Sequence, residues 1–232
     1  MQRKITFAPG EFYHLYNRGV NKNKIFYDAH DYHRFMMLLY LCNSDTHIHS
    51  QNVFRHGKQT TLDTILASVF STERGKQLVD IGAYCLMPNH FHILVKERME
   101  GGISLFMQKL GTAYTMYLNK RKARTGTLYE GPFKATHVVG DNYLKYLYAY
   151  IHLNPVKLID SQWKKNGIKN KSKAEAYLHK YQFSSYLDHL KLARRQNLTI
   201  ETDSFPKYFN TEADFDNHIQ YWLTFRNDYQ IL

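Results

Sequence analysis

The chain has 232 residues, of which 44% are hydrophobic; this composition excludes extended disorder and fits one compact domain with or without extensions. No apolar run approaches the ~20 residues that span a bilayer, and only two cysteines are present, so we expect no membrane partner, no disulfide framework and a reducing, cytoplasmic setting. The net charge of +11 favours a polyanionic partner, most often a nucleic acid.

The N-terminal part predicts a strand, a helix and an insertion. An aromatic-rich run over residues 11–18 predicts the strand. Apolar residues at helical spacing predict a helix over about 31–42, with Asp28 as its N-cap. Residues 43–75 are polar and basic around one apolar segment, Leu62 to Phe70, and we interpret them as an insertion that carries a short helix.

The central part predicts a β-hairpin, a helix and a further strand. Residues 79–87 and 90–97 are strand-like and flank Pro88-Asn89, a pair typical of a turn. An apolar stripe predicts a helix over about 103–122, and residues 133–139 predict the next strand. The two strands of the hairpin are expected to lie side by side because their connection is so short.

The C-terminal part predicts helices around an exposed loop. A helix over about 142–153 follows Asp141, its expected N-cap, and ends before Pro155, because the residue before a proline disfavours the α region. The charge run that begins at Lys164 predicts the exposed loop. Two short helices are predicted near 173–180 and 211–224.

The order strand, helix, strand, strand, helix, strand, helix predicts an α+β fold. Its first six elements match the ferredoxin-like split βαβ pattern, an antiparallel sheet with helices on one face. The helix over 142–153 is then an additional C-terminal helix, and the other face of the sheet is available to it or to a ligand.

His90 and His92 form the sharpest local signal for chemistry. Alternate side chains of a strand point to the same face, so two imidazoles about 6–7 Å apart could converge on a metal ion. The alternative is a pair of surface histidines, because two imidazoles alone are an incomplete metal site. His47 and His49 share the spacing but lie in the polar insertion without a strand pattern, and we expect no site there.

The helix over 142–153 offers a phenol and a further metal ligand. Tyr150 and Asn154 are four residues apart and would be neighbours on one surface. Asn154 would complete a two-histidine, one-oxygen site suited to Mg²⁺ or Mn²⁺. The alternatives are a packing role for Tyr150 at the edge of the core, and for Asn154 a simple position at the end of the helix before Pro155.

Four motifs, in this order, make the chain resemble a known family. They are Tyr13-His-Leu-Tyr-Asn-Arg-Gly, Tyr84-Cys-Leu-Met-Pro-Asn-His-Phe-His-Ile-Leu-Val, Thr125-Gly-Thr-Leu-Tyr-Glu-Gly and Tyr150-Ile-His-Leu-Asn-Pro-Val-Lys. Together they cover roughly residues 10–190 and resemble the IS200-like single-tyrosine transposases, most of all the branch of REP-associated tyrosine transposases. The resemblance implies a single-tyrosine (HUH) transposase domain over 1–190, with the 43–75 insertion, and a C-terminal extension over 191–232 without a family motif.

The resemblance implies an enzyme that cuts and rejoins single-stranded DNA. The metal ligands of the family fall on His90, His92 and Asn154, of which Asn154 is the most variable position, and the implied cofactor is a divalent metal, Mg²⁺ or Mn²⁺. The nucleophile of the family falls on Tyr150. It would expel a 3′-OH and leave a 5′-phosphotyrosine, which a later 3′-OH attacks to restore a strand.

Nine basic residues are the expected contacts to the DNA backbone. They are Arg18, Lys96, Arg98, Lys120, Arg121, Lys122, Arg124, Lys134 and Lys157. The resemblance implies that the DNA is single-stranded and has hairpin structure.

Two questions stay open at this point. Relatives act as monomers or as homodimers, so the helix that carries Tyr150 would serve either its own histidine pair or that of a second copy. The activity also has two alternatives: a metal nuclease that uses water, in which Tyr150 is structural, and a non-catalytic DNA- or RNA-binding module.

Overall fold

A four-stranded antiparallel sheet forms the centre of the computed structural model, which describes residues 5–46 and 61–225. His47 and His49, and the prediction made for them, lie outside the described residues. The strands are β1 (Phe12–Arg18), β2 (Val79–Met87), β3 (His90–Glu97) and β4 (Lys134–His137). Each strand confirms the prediction from the sequence.

Helices surround the sheet in the described ranges. They are α1 (Ala29–Leu41), α2 (Leu62–Phe70), α3 (Gly102–Arg121), α4 (Asp141–His152), α5 (Trp163–Asn166), α6 (Lys171–Leu178), α7 (Tyr186–His189) and α8 (Glu212–Thr224). Short 3₁₀ turns span Val20–Lys22, Asn154–Leu158, Arg195–Thr199 and Thr202–Ser204. None of these helices is long and apolar enough to cross a membrane.

The sheet has the ferredoxin-like topology that the order of elements predicts. Its strand order is β2-β3-β1-β4, and every neighbouring pair is antiparallel. β1 and β2 are therefore parallel to each other with β3 between them, which is the split βαβ arrangement. The predicted α+β class is confirmed.

Alternation along the strands gives the sheet two different faces. On one face, Leu15 and Ile93 belong to a core that α1 and α3 cover. On the other face, Cys85 and Leu94 belong to a second core that α4 and the C-terminal helices cover. α4, the helix that contains Tyr150, therefore lies against the sheet on the side opposite to α1 and α3.

The C-terminal residues up to 225 pack on this second face. Phe205 lies against β2 at Gly82, where a Cβ atom would come within 2.6 Å of the phenylalanine ring, so glycine is needed for this close approach. Phe215 of α8 is buried in the same core as α4. The described part of the extension thus shares a core with the residues before it, and a domain boundary after residue 190 stays a prediction.

The structure confirms one of the two predicted N-caps and corrects the other. The Asp28 carboxylate accepts two backbone N–H groups in the first turn of α1. Asp141 does not cap α4: Gly140 holds the cap position, and the Asp141 carboxylate accepts the Tyr208 hydroxyl instead. The charge run from Lys164 is also partly helical, since α5 and the first turn of α6 occupy it.

The fold is expected to lose stability in acid, because two histidines are buried beside the second core. His152 is fully buried between the Tyr148 carbonyl oxygen and the Ser185 hydroxyl, and burial holds its pKa well below the usual range. Burial also lowers the pKa of His189 to about 4. In the unfolded chain both imidazoles bind a proton near pH 6.5, whereas in the folded chain they stay neutral down to about pH 4. The free energy of unfolding should therefore be highest above pH 6.5 and fall by roughly several kcal/mol as the pH falls toward 4.

Urea unfolding at several pH values between about 7 and 4 checks this expectation. His189→Gln should make the free energy of unfolding less dependent on pH. A free energy of unfolding that stays constant over this interval would contradict the prediction.

Candidate active site

β1 and β3 bring imidazole and phenol rings together on the second face of the sheet. Their register pairs Tyr16 with His92 and Arg18 with His90. Cross-strand partners point to the same face, and His14, two residues before Tyr16, points there as well. His90 and His92 therefore lie on one face, as the sequence predicts, and side chains of β1 accompany them.

A chain of hydrogen bonds fixes the His90 ring. Nδ2 of Asn89 donates to the Lys22 carbonyl oxygen at 3.0 Å, so Oδ1 of Asn89 faces His90 and accepts from its Nδ1 at 2.7 Å. His90 thus carries its proton on Nδ1, and the lone pair of its Nε2 is free. The turn that separates β2 from β3 supplies this orienting amide.

A second imidazole holds His92. Its Nδ1 lies 2.9 Å from Nε2 of His14, and the two rings stack with 5.0 Å between their centroids. With the Nδ1–H of His92 as the donor, Nε2 of His92 is free too. No hydrogen bond within residues 5–46 and 61–225 involves Nε2 of His90 or of His92. Histidines that bind metals commonly donate their other N–H to a fixed partner in this way.

Burial keeps these imidazoles neutral at neutral pH. Burial, followed by the cations Lys157 and Arg18, lowers the pKa of His90 to about 4. Burial, followed by the neighbouring imidazoles, holds the pKa of His92 well below the usual range, and burial lowers the pKa of His14 to about 4. The neutral imidazole is the form that binds a metal ion, so the pair fits a divalent cation.

Tyr150 reaches the histidine pair of its own chain. Its ring lies edge-on to the His92 ring, with 5.5 Å between centroids, and edge-on to the His14 ring at 5.6 Å. The amphipathic spacing of α4 explains the position: Leu147 and Ile151 enter the core, and Tyr150 falls half-buried at the edge of that stripe. This contact lies within a single copy of the chain.

α5 places a positive charge at the Tyr150 ring. Nζ of Lys164 lies 4.5 Å from the ring centroid, and burial together with the nearby Lys157 lowers the pKa of Lys164 to about 8. Burial, and to a smaller extent Tyr143 and then Tyr16, raises the pKa of the Tyr150 phenol. An ammonium group over the ring acts in the opposite direction, because it stabilises the phenolate.

Asn154 is fully buried at the end of α4. Its Nδ2 donates to the Tyr150 carbonyl oxygen at 2.8 Å, and its Oδ1 accepts from Nζ of Lys157 at 3.4 Å. These bonds hold the end of the helix. The described part of the chain contains no group of three or more His, Cys, Asp and Glu side chains placed to hold a metal ion. A third ligand would come from another kind of side chain, and that role for Asn154 stays a prediction.

A cleft of about 350 Å³ opens between the histidine pair and Tyr150. Three of the nine basic residues predicted to bind DNA line it, namely Arg18, Lys134 and Lys157. Glu130 also lines the cleft and pairs with Arg18, with 2.9 Å between Oε1 and Nε. The cleft therefore combines two phenols, those of Tyr16 and Tyr150, with two neutral imidazoles and three cations, a set that suits a phosphodiester.

Comparison with known proteins gives one family match. Residues 46–154, just under half of the chain, match the family described as IS200-like transposases, and the match includes His90, His92, Tyr150 and Asn154. This segment is therefore similar to the IS200-like transposases. A solved structure of a REP-associated tyrosine transposase bound to a REP hairpin is 12% identical, with a TM-score of 0.49, and the alignment covers 84% of this chain and 90% of that one. No curated protein matches the chain.

The other six predicted DNA contacts lie outside this cleft. Lys96 and Arg98 are at the opposite end of β3 from His90, where they bond to the Ser204 carbonyl oxygen and to Asp80. The remaining four residues lie in the last turn of α3 and just after it, namely Lys120, Arg121, Lys122 and Arg124. Arg121 pairs there with two aspartates at the start of α1. A role in DNA binding stays a prediction for all nine residues.

Three side chains at this candidate site have no role predicted from the sequence, namely His14, Tyr16 and Lys164. His14 and Tyr16 lie within the first family motif, and the alternation of β1 places them on the face of the histidines as soon as β1 pairs with β3. That signal is present in the sequence. Lys164 has no such signal, because a lysine in a basic run resembles any solvated cation.

Proposed function

We propose that this protein is a transposase that cuts and rejoins single-stranded DNA through a covalent bond to Tyr150. The observation that supports this most is the position of the Tyr150 ring beside His92 and His14, at a cleft lined by three cations. A phenol, a pair of imidazoles that can bind metal and positive charge are what phosphoryl transfer to a tyrosine requires. The match of residues 46–154 to the IS200-like transposases also supports this activity.

His90 and His92 would hold the divalent cation, Mg²⁺ or Mn²⁺, and Asn154 is the proposed oxygen ligand. When bound, the cation would withdraw negative charge from the scissile phosphate. The protein prepares the site before any metal arrives, since Asn89 and His14 orient the two rings and burial keeps them neutral.

Tyr150 supplies the nucleophile. Its phenol loses the proton, its oxygen forms a bond to phosphorus, and the bond from phosphorus to the 3′ oxygen breaks; that oxygen takes up a proton and becomes a 3′-OH. The other part of the strand stays attached as a 5′-phosphotyrosine, which conserves the energy of the phosphodiester. A later 3′-OH attacks the same phosphorus and releases Tyr150 without a nucleotide cofactor.

Cations of the cleft hold the strand and favour the phenolate. Arg18, Lys134 and Lys157 are placed to bind phosphate groups, which gives salt-dependent affinity and little sequence information. Burial raises the pKa of Tyr150 above that of a free phenol, so the attack depends on compensating charge, and the ammonium of Lys164 lies over the ring. The motifs of the REP-associated branch support single-stranded DNA with hairpins as the substrate.

The experiment that tests this function is a search for a covalent adduct. The full chain is incubated with Mn²⁺ or Mg²⁺ and a labelled pool of single-stranded hairpin DNAs, denatured, and digested for mass spectrometry. A denaturation-resistant adduct on Tyr150 is the expected result. Cleavage without an adduct at any time would indicate a nuclease that uses water, and binding without cleavage under either metal would indicate a binding module.

Lys164→Gln is expected to slow adduct formation by about three- to fivefold, the effect of losing one cation over an aromatic ring at the protein surface. Because the pKa of Lys164 is lowered to about 8, its ammonium is present below that pH and lost above it. The ratio of the wild-type rate to the variant rate should therefore be largest below pH 8 and shrink above it. Single-turnover rates of adduct formation measured across this range check the prediction.

Lys173→Gln is the control, since it removes the same charge from an exposed position on α6. This variant should form the adduct at the wild-type rate. If the ratio for Lys164→Gln does not change with pH, Lys164 does not act through its charge at Tyr150.

A further inference from the structure

A second cavity, also of about 350 Å³, lies next to Tyr150. Tyr150 is the residue that this cavity shares with the cleft of the histidine pair. Aromatic rings from three helices line it, and two lysines of α5 lie among them. We call it the aromatic pocket, and its characteristic residues are Tyr146, Trp163, Lys164, Lys165, Trp222 and Phe225.

The walls of the aromatic pocket present ring surface to a ligand. Trp222 is half-buried and packs on Tyr146, with 4.6 Å between ring centroids, and on Phe225 at 4.9 Å. Phe225 keeps 41% of its surface exposed. Partly exposed rings at the mouth of a cavity are the groups on which an unpaired base stacks.

Trp163 adds a hydrogen-bond donor without a partner. Its side chain lines the aromatic pocket and is only 6% exposed, and its indole N–H has no hydrogen-bond partner among the described residues. A buried donor of this kind is uncommon in folded proteins, since leaving it unpaired is costly. Because this N–H is itself covered by the protein, Trp163 supports the proposal only as ring surface in the wall of the pocket.

We propose that the aromatic pocket holds one unpaired nucleobase of the DNA strand, adjacent to the phosphate that Tyr150 attacks. The inference rests on the proposed function and adds to it the binding of a flanking nucleotide. Both cavities meet at Tyr150, so a strand whose phosphate lies in the cleft brings its neighbouring base to the aromatic pocket. The volume is at the lower end of ligand cavities, which suits one base, and the lysines suit its phosphate.

The intrinsic tryptophan fluorescence of the protein can be used to detect a ligand in this pocket. It contains two tryptophans, and both line the aromatic pocket. A short oligothymidylate is expected to quench the tryptophan emission of the Tyr150→Phe protein, whereas an abasic oligomer of the same length and charge should bind without quenching. Binding itself is followed by the anisotropy of labelled oligomers. Equal quenching by both, or binding of oligothymidylate without quenching, would overturn the proposal.

Trp222→Ala tests the role of the ring itself. This variant should bind oligothymidylate about tenfold more weakly, the loss expected for one stacked base, and should bind the abasic oligomer as before. Trp222→Phe should restore most of the affinity because phenylalanine also stacks. Tyr221→Ala is the matched control, since Tyr221 is the adjacent aromatic residue, 56% exposed, and does not line the pocket.

Two outcomes separate this inference from the proposed function. If Trp222→Ala weakens both oligomers equally, the ring supports the fold and holds no base, even where the wild-type protein forms the adduct on Tyr150. If the differential loss occurs but no adduct forms with either metal, the nucleobase site stands and the strand-transfer activity does not.

Discussion

Tyr150→Phe is expected to abolish the covalent DNA adduct and to reduce strand cleavage on the order of 10⁴-fold or more, the cost of removing a nucleophile. The variant keeps the ring that contacts His92 and His14 and loses only the hydroxyl oxygen that would bond to phosphorus. Folding and binding of single-stranded DNA should therefore be unchanged. The measurement is the yield of denaturation-resistant adduct under single-turnover conditions with Mn²⁺, with DNA affinity measured in parallel.

Tyr143→Phe is the matched control for this change. Tyr143 lies on the same helix and is also half-buried, but it lines neither the cleft nor the aromatic pocket. Its hydroxyl should be dispensable, and the variant should form the adduct at the wild-type rate. Cleavage by Tyr150→Phe at a rate near that of the wild-type protein would show that water is the nucleophile and that the phenol has a packing role.

The strands and most helices follow from the sequence because their patterns are local. Alternation over residues 90–97 predicts β3, and the helical spacing that begins near Asp28 predicts α1 with its cap. Asp141 shows where local reasoning ends. It is a good N-cap by residue type, but Gly140 occupies that position, and Asp141 instead binds the hydroxyl of Tyr208, which the sequence places 67 residues away.

The positions of site residues can be predicted from the sequence only where the periodicity of a single strand or helix determines them. The shared face of His90 and His92 follows from the period of a strand, whereas the contact of His14 with His92 depends on the pairing of β1 with β3. Lys164 reaches Tyr150 through the packing of α5, a contact between elements that no pattern within either one indicates. The burial of Asn154 likewise depends on how α4 ends.

His92→Ala is expected to lower the affinity for Mn²⁺ by more than about 100-fold and to abolish the adduct, because one imidazole and a buried amide cannot replace the pair. Electron paramagnetic resonance of Mn²⁺ measures this affinity without DNA and independently of Tyr150. His14→Ala should have a smaller effect, about tenfold, since His14 only orients the His92 ring. His137→Ala, at an exposed histidine on β4, should bind Mn²⁺ as the wild-type protein does.

The pH dependence of Mn²⁺ binding distinguishes this site from a pair of surface histidines. Burial lowers the pKa of His90 to about 4 and holds that of His92 well below the usual range, so protons compete with the metal only in strong acid. Affinity should therefore stay constant as the pH falls from about 7 to 5, where an exposed pair with a pKa near 6.5 would already lose its metal. A loss of Mn²⁺ affinity centred near pH 6.5 in the folded protein would show that the metal binds at exposed histidines and not in this cleft.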